Sequence, residues 1–476
     1  MAPGRLGPEG TARPNSSGIS VIVVGLGIAG LTAAIECHRK GHSVIAFERM
    51  KDVEPFGEFG FESPYWLLRQ HSKGDSIIIG SNGGRIFGKW GHGEVRKAMQ
   101  AWRYTPTHAD IYDTAGRFMA QSEIPKAADD MYFTLRGRLA KTFYEHAQSL
   151  GIDMRMGSKV TEFWEDSNRA GIVVEGERFE ADCVICADGI HSKSRTLFTS
   201  LNAQPFRSGF SIFRGKADAN AIMADPEAKW ILDQTDNTDQ FKVFLGKEIC
   251  VVIITCGLGR AVVCSAMHRD LNEAEQSWST HANPDDLLDA IKDWPCRRQI
   301  EPIVRKISED QFIDYPLLTV APLDTWVSQH GRMILIGDAA HPFFPTSGQG
   351  GAQAMEDAAV LAICLELAGK GNIPLALHAT EKIRKSRASV LQLNRTYSEG
   401  VQLAPALPKS KDSMSVPNVP VMDWIWHHCC QSYAYDEFDK VAEAIQSGSE
   451  YIPHNLPEDA EDEINRAFGL QKSPPT

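Results

Sequence analysis

A chain of 476 residues that is 43% hydrophobic can bury a large core, and at this length it divides into several domains or folds as one interleaved unit. A formal net charge of −12 without any long Lys/Arg run argues against a nucleic-acid binder. Ten cysteines scattered through apolar segments suit small core residues in a reducing, cytoplasmic setting, and no run reaches the roughly 18 apolar residues of a membrane-spanning helix.

Met1 to Ser17 is rich in Gly, Pro and Ser and reads as a flexible tail. The β-branched run Ile19–Val24 predicts a strand covered on both faces. Gly25-Leu26-Gly27-Ile28-Ala29-Gly30 follows at once, then a helix stopped by Gly41, then a second strand, Ser43–Phe47, ending at Glu48. The first glycine of such a unit permits a tight turn, the second lets backbone approach a pyrophosphate, and the third lets helix and strand pack closely. The helix amino end adds N–H groups and a positive dipole for phosphates, and Glu48 is placed to accept from ribose hydroxyls. A lone glycine triplet is weak evidence. Here strand, glycines, helix, second strand and acid occur in the order that a dinucleotide site requires.

Further along, Asp182–Ala187 predicts a buried strand running into Asp188-Gly189. Between about Phe206 and Ile313 short strands with partial alternation, such as Phe210–Gly215 and Ala261–Ala266, predict a largely antiparallel sheet. Gly331–Ile336 is another apolar strand, and it leads into Gly337-Asp338. The loop Phe344–Gly351 then opens a helix that continues to Gly369. Leu403 to Pro420 reads as an extended linker, and an aromatic packing segment with an acidic helical tail follows. Cys256-Gly257-Leu258-Gly259 lacks a third glycine and reads as a hairpin turn, so no permanent nicotinamide domain is expected.

The glycine fingerprint, Asp188-Gly189 and Gly337-Asp338 together resemble the three motifs of the group A flavoprotein monooxygenases, the aromatic-hydroxylase family. The variant is similar to the salicylate-hydroxylase-like enzymes of fungal metabolism, over roughly Ile19 to Arg387. The resemblance implies an α/β fold in which a Rossmann-like FAD-binding domain of the GR2 type (18–200 and 326–400) is interleaved with a β-sheet substrate domain (201–325, with parts of 60–130). A C-terminal segment, 401–476, carries further helices. It implies FAD as cofactor, NADPH or NADH as transient reductant and O2 as co-substrate. The expected reaction is hydroxylation or epoxidation of a small aromatic or polycyclic compound through a flavin C4a-hydroperoxide, in secondary metabolism, by a monomer or homodimer. Carried over by residue, Gly25, Gly27 and Gly30 cradle the pyrophosphate, while Glu48 with Arg49 holds the ribose. Arg136 helps bind FAD, although Arg138 stands where the family commonly has an acid. Val160 meets adenine through its backbone, Asp338 binds the ribityl chain, and Asp188 serves FAD and the nicotinamide donor. Pro345 points its carbonyl at substrate. Gly350, Gly351 and Ala352 contact the flavin ring, where a helix amino terminus would stabilise the anionic reduced form.

Several residues carry two readings. Arg214 binds an anionic or phenolate substrate or forms a structural ion pair; Arg195 meets NADPH phosphates or caps its own loop. His341 is expected to be structural, and Asn82 is a candidate for the flavin's active-site side. Cys183 and Cys186 form C-x-x-C, but a buried strand without a second pair favours core packing over metal, and no metal site is expected. A halogenase on the same fold is discounted because Trp424-Ile425-Trp426 is followed by His-His and lies near the C-terminus. A non-catalytic redox module is the remaining alternative.

Overall fold

Strand β1 (Ser20–Val24) is central because its apolar run is buried on both sides: Val21, Ile22 and Val23 are fully inaccessible. The computed structural model describes residues 16–51, 76–100, 106–123, 130–198, 204–233, 235, 238–270, 282–343, 348–392 and 423–460. Around β1 a five-stranded sheet forms in the order β17 (Met333–Leu335), β11 (Cys183–Cys186), β1, β2 (Ser43–Phe47) and β7 (Asp153–Arg155). Every pairing in it is parallel. Helices α1 (Ile28–Arg39), α4 (Arg136–Ser149) and α8 (Gly350–Ala368) pack together beside it. α8 is buried along Ala352–Leu365, as suits a helix apolar nearly all round.

A seven-stranded sheet makes the second layer system. Its order is β16 (Phe312–Thr319), β12 (Phe206–Ala217), β15 (Ala261–Arg269), β14 (Ile249–Cys256), β13 (Phe241–Leu245), β4 (His108–Asp113) and β5 (Phe118–Glu123). All pairs are antiparallel except β13 with β4. The β14–β15 connection is a tight turn with positive φ at Gly257, Leu258 and Gly259, as expected for a hairpin. Behind this sheet lie α5 (Ala219–Met223), α6 (Pro284–Ala290) and α7 (Arg297–Val304), which build a second core with Val251, Ile253 and Cys264. Two smaller sheets complete the strands: β3 (Ser76–Ile79) with β6 (Tyr132–Leu135), and β8 (Val160–Glu165), β9 (Ala170–Val174) and β10 (Glu177–Ala181). The remaining α-helices among the described residues are α2 (Ser81–Phe87), α3 (Glu94–Gln100), α9 (Ile373–Gln392), α10 (Asp423–Trp426) and α11 (Cys430–Ser447). Among the described residues no single helix is long and apolar enough to cross a membrane. The expected linker Leu403–Pro420 lies outside the described residues.

Ser17, expected to belong to a flexible tail, is tied to the fold. Ser17 donates its N–H to Gly41 O at 3.0 Å, and its Oγ meets His42 Nδ1 at 2.8 Å. Burial pushes that imidazole from 6.5 to about 4. The unfolded chain therefore takes up a proton between those values and the folded one does not. Stability should fall by up to about 3 kcal/mol as pH drops through this window and level off below it. Urea unfolding of wild type and His42→Gln at pH 7 and pH 4.5 checks this, the variant losing less.

Charge is buried between α8 and α9. Glu356, Asp357, Arg384 and Arg387 are wholly inaccessible. Arg384 donates to Glu356 at 2.5 Å and Asp357 at 2.9 Å, and Arg387 donates to Glu356 at 3.0 Å. Burial alone would raise the Glu356 carboxyl, but Arg387 and Arg384 outweigh it and hold it well below the usual carboxylate range. Removing one guanidinium would leave uncompensated buried charge. Arg384→Ala should lose about 3–5 kcal/mol in urea unfolding at pH 7.

Candidate active site

The parallel strands β1, β11 and β17 deliver three turns to one place. Gly25 has φ +92°, and a Cβ on it would stand 2.5 Å from Ala187 O in the turn after β11. A Cβ on Gly30 would lie 1.8 Å from Gly25 O, so helix and turn touch through bare backbone. Gly27 differs: a Cβ there would meet nothing within 4 Å. Its side faces open space and borders two cavities, so protein packing does not explain a glycine at this position.

The cavities have volumes of about 420 and 440 Å³ and share Gly27, Arg136, Ala187, Gly189 and Arg214. The second cavity is bordered by Gly25, Glu48, Arg49, Val160, Asp188 and His191. Glu48 accepts from Leu26 N–H at 2.8 Å and Met50 N–H at 2.9 Å, which fixes its carboxylate at the cavity edge. Asp188 accepts from Lys193 N–H at 2.9 Å and from the Ser194 hydroxyl at 2.9 Å, closing its loop. Burial, then Arg49 and Arg195, lower the His191 imidazole.

In the first cavity one wall is helical. Ile28, Ala29, Asp338, Gly350, Gly351 and Ala354 belong to it, and neither α1 nor α8 has a side-chain N-cap or an acid in its first turn. Two helix amino ends thus present uncapped N–H groups to one space. The opposite wall is the seven-stranded sheet, seen as a grid. Ile212, Met267 and Cys250 form one cross-strand row; Arg214, Ser265 and Val252 form the next; Val263, Ile254 and Phe241 follow. Tyr315 stands across from Ile212, with its hydroxyl pushed up by burial and Asp338 against the opposing pull of Arg136 and Arg214.

The sequence matches a family described as FAD binding domain over residues 90–392, and a second family of that description over residues 20–55. It is 98% identical over 459 residues to the FAD-dependent monooxygenase nodY2 of Hypoxylon pulicicidum, covering 96% of this chain and 100% of that one. The chain belongs to the FAD-dependent monooxygenases. Among solved structures, CtdE in complex with FAD and its substrate 4 is 36% identical with a TM-score of 0.81, covering 90% of this monooxygenase and 100% of CtdE. A salicylate hydroxylase substrate complex, at 22% identity and a TM-score of 0.68 over 90% and 98% of the two chains, shares the fold. Membership of this family sets aside the halogenase and the redox-module readings.

FAD fits what the monooxygenase presents. The open side of Gly27, the uncapped helix ends and Glu48 at the end of β2 are the backbone cradle, dipoles and acceptor that a flavin dinucleotide needs. Two expectations need correction, the nicotinamide reading of Arg195 and the flavin-side placement of Asn82. Arg195 is fully buried and lines neither cavity; its guanidinium donates to Ala339 O and Asp338 O at 2.8 Å and to Ile190 O at 2.9 Å. It ties two turns together and has no face left toward a nicotinamide phosphate. Ala352 turns its side chain to Gly83, where an added Cβ would stand 2.9 Å from the Ala352 Cα, and Ala354, two residues on, borders the cavity. Asn82 is buried too, donating to Glu356 at 2.6 Å and Gln349 at 3.1 Å rather than facing the cavity. Pro345 lies outside the described residues. His341 bonds Asp357 at 2.6 Å inside the core, and Cys183 and Cys186 are fully buried. The residues missed were the apolar lining, Ile77, Ile78, Phe133 and the grid, for which only strand alternation could have served as a signal.

The two glycines give separable predictions. Gly27→Val should leave the thermal midpoint of the apoprotein within about 1 °C while weakening FAD binding more than roughly tenfold, as the side chain fills the ligand's space. Gly30→Ala should lower the midpoint of the apoprotein itself through backbone overlap. Differential scanning fluorimetry with and without FAD, plus fluorescence titration, checks both.

Proposed function

We propose that the enzyme uses NADPH or NADH and O2 to hydroxylate or epoxidise a small aromatic or polycyclic compound in secondary metabolism, in the cytoplasm. The observation that carries this reading is the first cavity, which faces helix amino ends on one side and an almost wholly apolar sheet on the other. In this reading Gly25, Gly27 and Gly30 hold the pyrophosphate with the α1 amino end. Glu48 and Arg49 take the ribose, Val160 lies by adenine, Asp188 serves FAD and the donor, and Arg136 spans both cavities. Asp338 would hold the ribityl chain, and Gly350, Gly351 and Ala352 at the α8 amino end would contact the flavin ring. The chemistry supplied by bound FAD is hydride acceptance followed by activation of O2 to an electrophilic oxygen donor.

The chain's own work is then orientation, charge and dryness. The grid keeps water from the reacting space and holds a flat ring parallel to the opposite wall. The uncapped α8 amino end would stabilise negative charge on a reduced flavin. Arg214, on the central row, meets a polar group of the substrate. Pro345 is retained as the family's substrate-facing carbonyl. Support comes from family membership and from the substrate complex of CtdE.

Purified yellow enzyme should oxidise NADPH faster on adding 2-naphthol or indole, consume O2 and place one atom of labelled O2 in the product. Reduction of the bound FAD by NADPH without any O2 uptake would refute the proposal.

A further inference from the structure

Among the described residues of this sheet that border the first cavity, Arg214 and Ser265 on the central row are the polar ones. Arg214 and Ser265 stand directly opposite each other on β12 and β15, with Cβ atoms about 5 Å apart as for any such pair. Both border the first cavity. The members of the flanking rows that border the cavity are Ile212, Met267, Cys250, Val263, Ile254 and Phe241, while Lys216 and Tyr315 continue those rows outside its lining. Among the described residues the Ser265 hydroxyl has no hydrogen-bond partner.

A guanidinium only donates, and a serine hydroxyl rotates to donate beside it, so the pair converges two donors on one oxygen. An sp2 oxygen with two lone pairs satisfies both; a substrate N–H satisfies only the serine. Charge narrows the choice further. Asp338 and Arg136 crowd the same corner as Arg214, all three acting on the buried Tyr315 hydroxyl. Asp338 already matches one of the two guanidinium charges. A carboxylate on Arg214 would have to shed its water among apolar rows, a cost that a neutral carbonyl does not meet.

We propose that Ser265 is a specificity-determining residue which, paired with Arg214, selects a neutral polycyclic substrate by one ketone or amide oxygen. This rests on the reading of the first cavity as the substrate site. The apolar rows then hold the ring carbons on either side of that oxygen, so a single polar contact sets the angle at which the ring faces the flavin.

The test uses three probes of one shape with the FAD-loaded enzyme: 9-fluorenone, fluorene and fluorene-9-carboxylate. Binding is read from the perturbed visible spectrum of the flavin. Fluorenone should bind roughly tenfold tighter than fluorene, with the carboxylate weaker than the ketone. Ser265→Ala should cut the ketone preference to about twofold with FAD content unchanged, and Ser265→Thr should restore it. Equal affinity for fluorenone and fluorene, an unchanged preference in Ser265→Ala, or tightest binding of the carboxylate would each overturn the assignment of Ser265. If no probe perturbs the flavin, the substrate-site reading fails and takes this proposal with it.

Discussion

Contact between bare backbone segments governs this enzyme. The turns after β1 and β11 touch through Gly25 and Ala187, the start of α1 touches the first turn through Gly30, and the turn at Gly337 leaves no room beyond Ala29 and Ala354. Because the strands are parallel, all of these turns fall at one edge of the sheet, where an open crevice forms. With no side chains in that space, amide N–H groups become its chemistry. The supports sit further out. Arg195 braces the Ile190 and Asp338–Ala339 carbonyls, while Asp357 accepts from Gly337 N–H at 3.0 Å and is itself held by Arg384.

The sheet opposite has a different logic. β14 is apolar on both faces: Val251 and Ile253 pack into the core with α6 and α7, while Val252 and Ile254 face the cavity. The rigid wall is thus anchored from behind. Substrate shape can be read by one face without disturbing the packing of the other, which suits a fold whose relatives differ in what they bind.

How much of this was legible in the residues depends on the length over which each signal acts. The β1–α1–β2 unit was legible because its strand, glycines and acid lie within thirty residues and each has one physical cause. Gly337-Asp338 was legible for the same reason. Arg195 was legible by half: its bond to Ile190 O within its own loop fits the loop-capping reading, but the Ala339 and Asp338 carbonyls lie some 140 positions away. The side-chain direction of Ala352 was not legible either: in the first turn of α8 it changes by about 100° per residue, so Gly350 and Gly351 border the cavity while the Ala352 side chain turns to Gly83. The cavity wall was hidden because two-sided burial of β14 erases the alternation that would have shown which residues face in.

The pairing of β4 with β13 has a consequence for how the enzyme is made. Residues 108–113 emerge from the ribosome long before residues 241–245, their parallel partner, and β1 waits longer still for β17 to complete its sheet. Neither layer can close while the chain is being elongated through the other. Assembly therefore depends on many non-local pairings and is slow by topology.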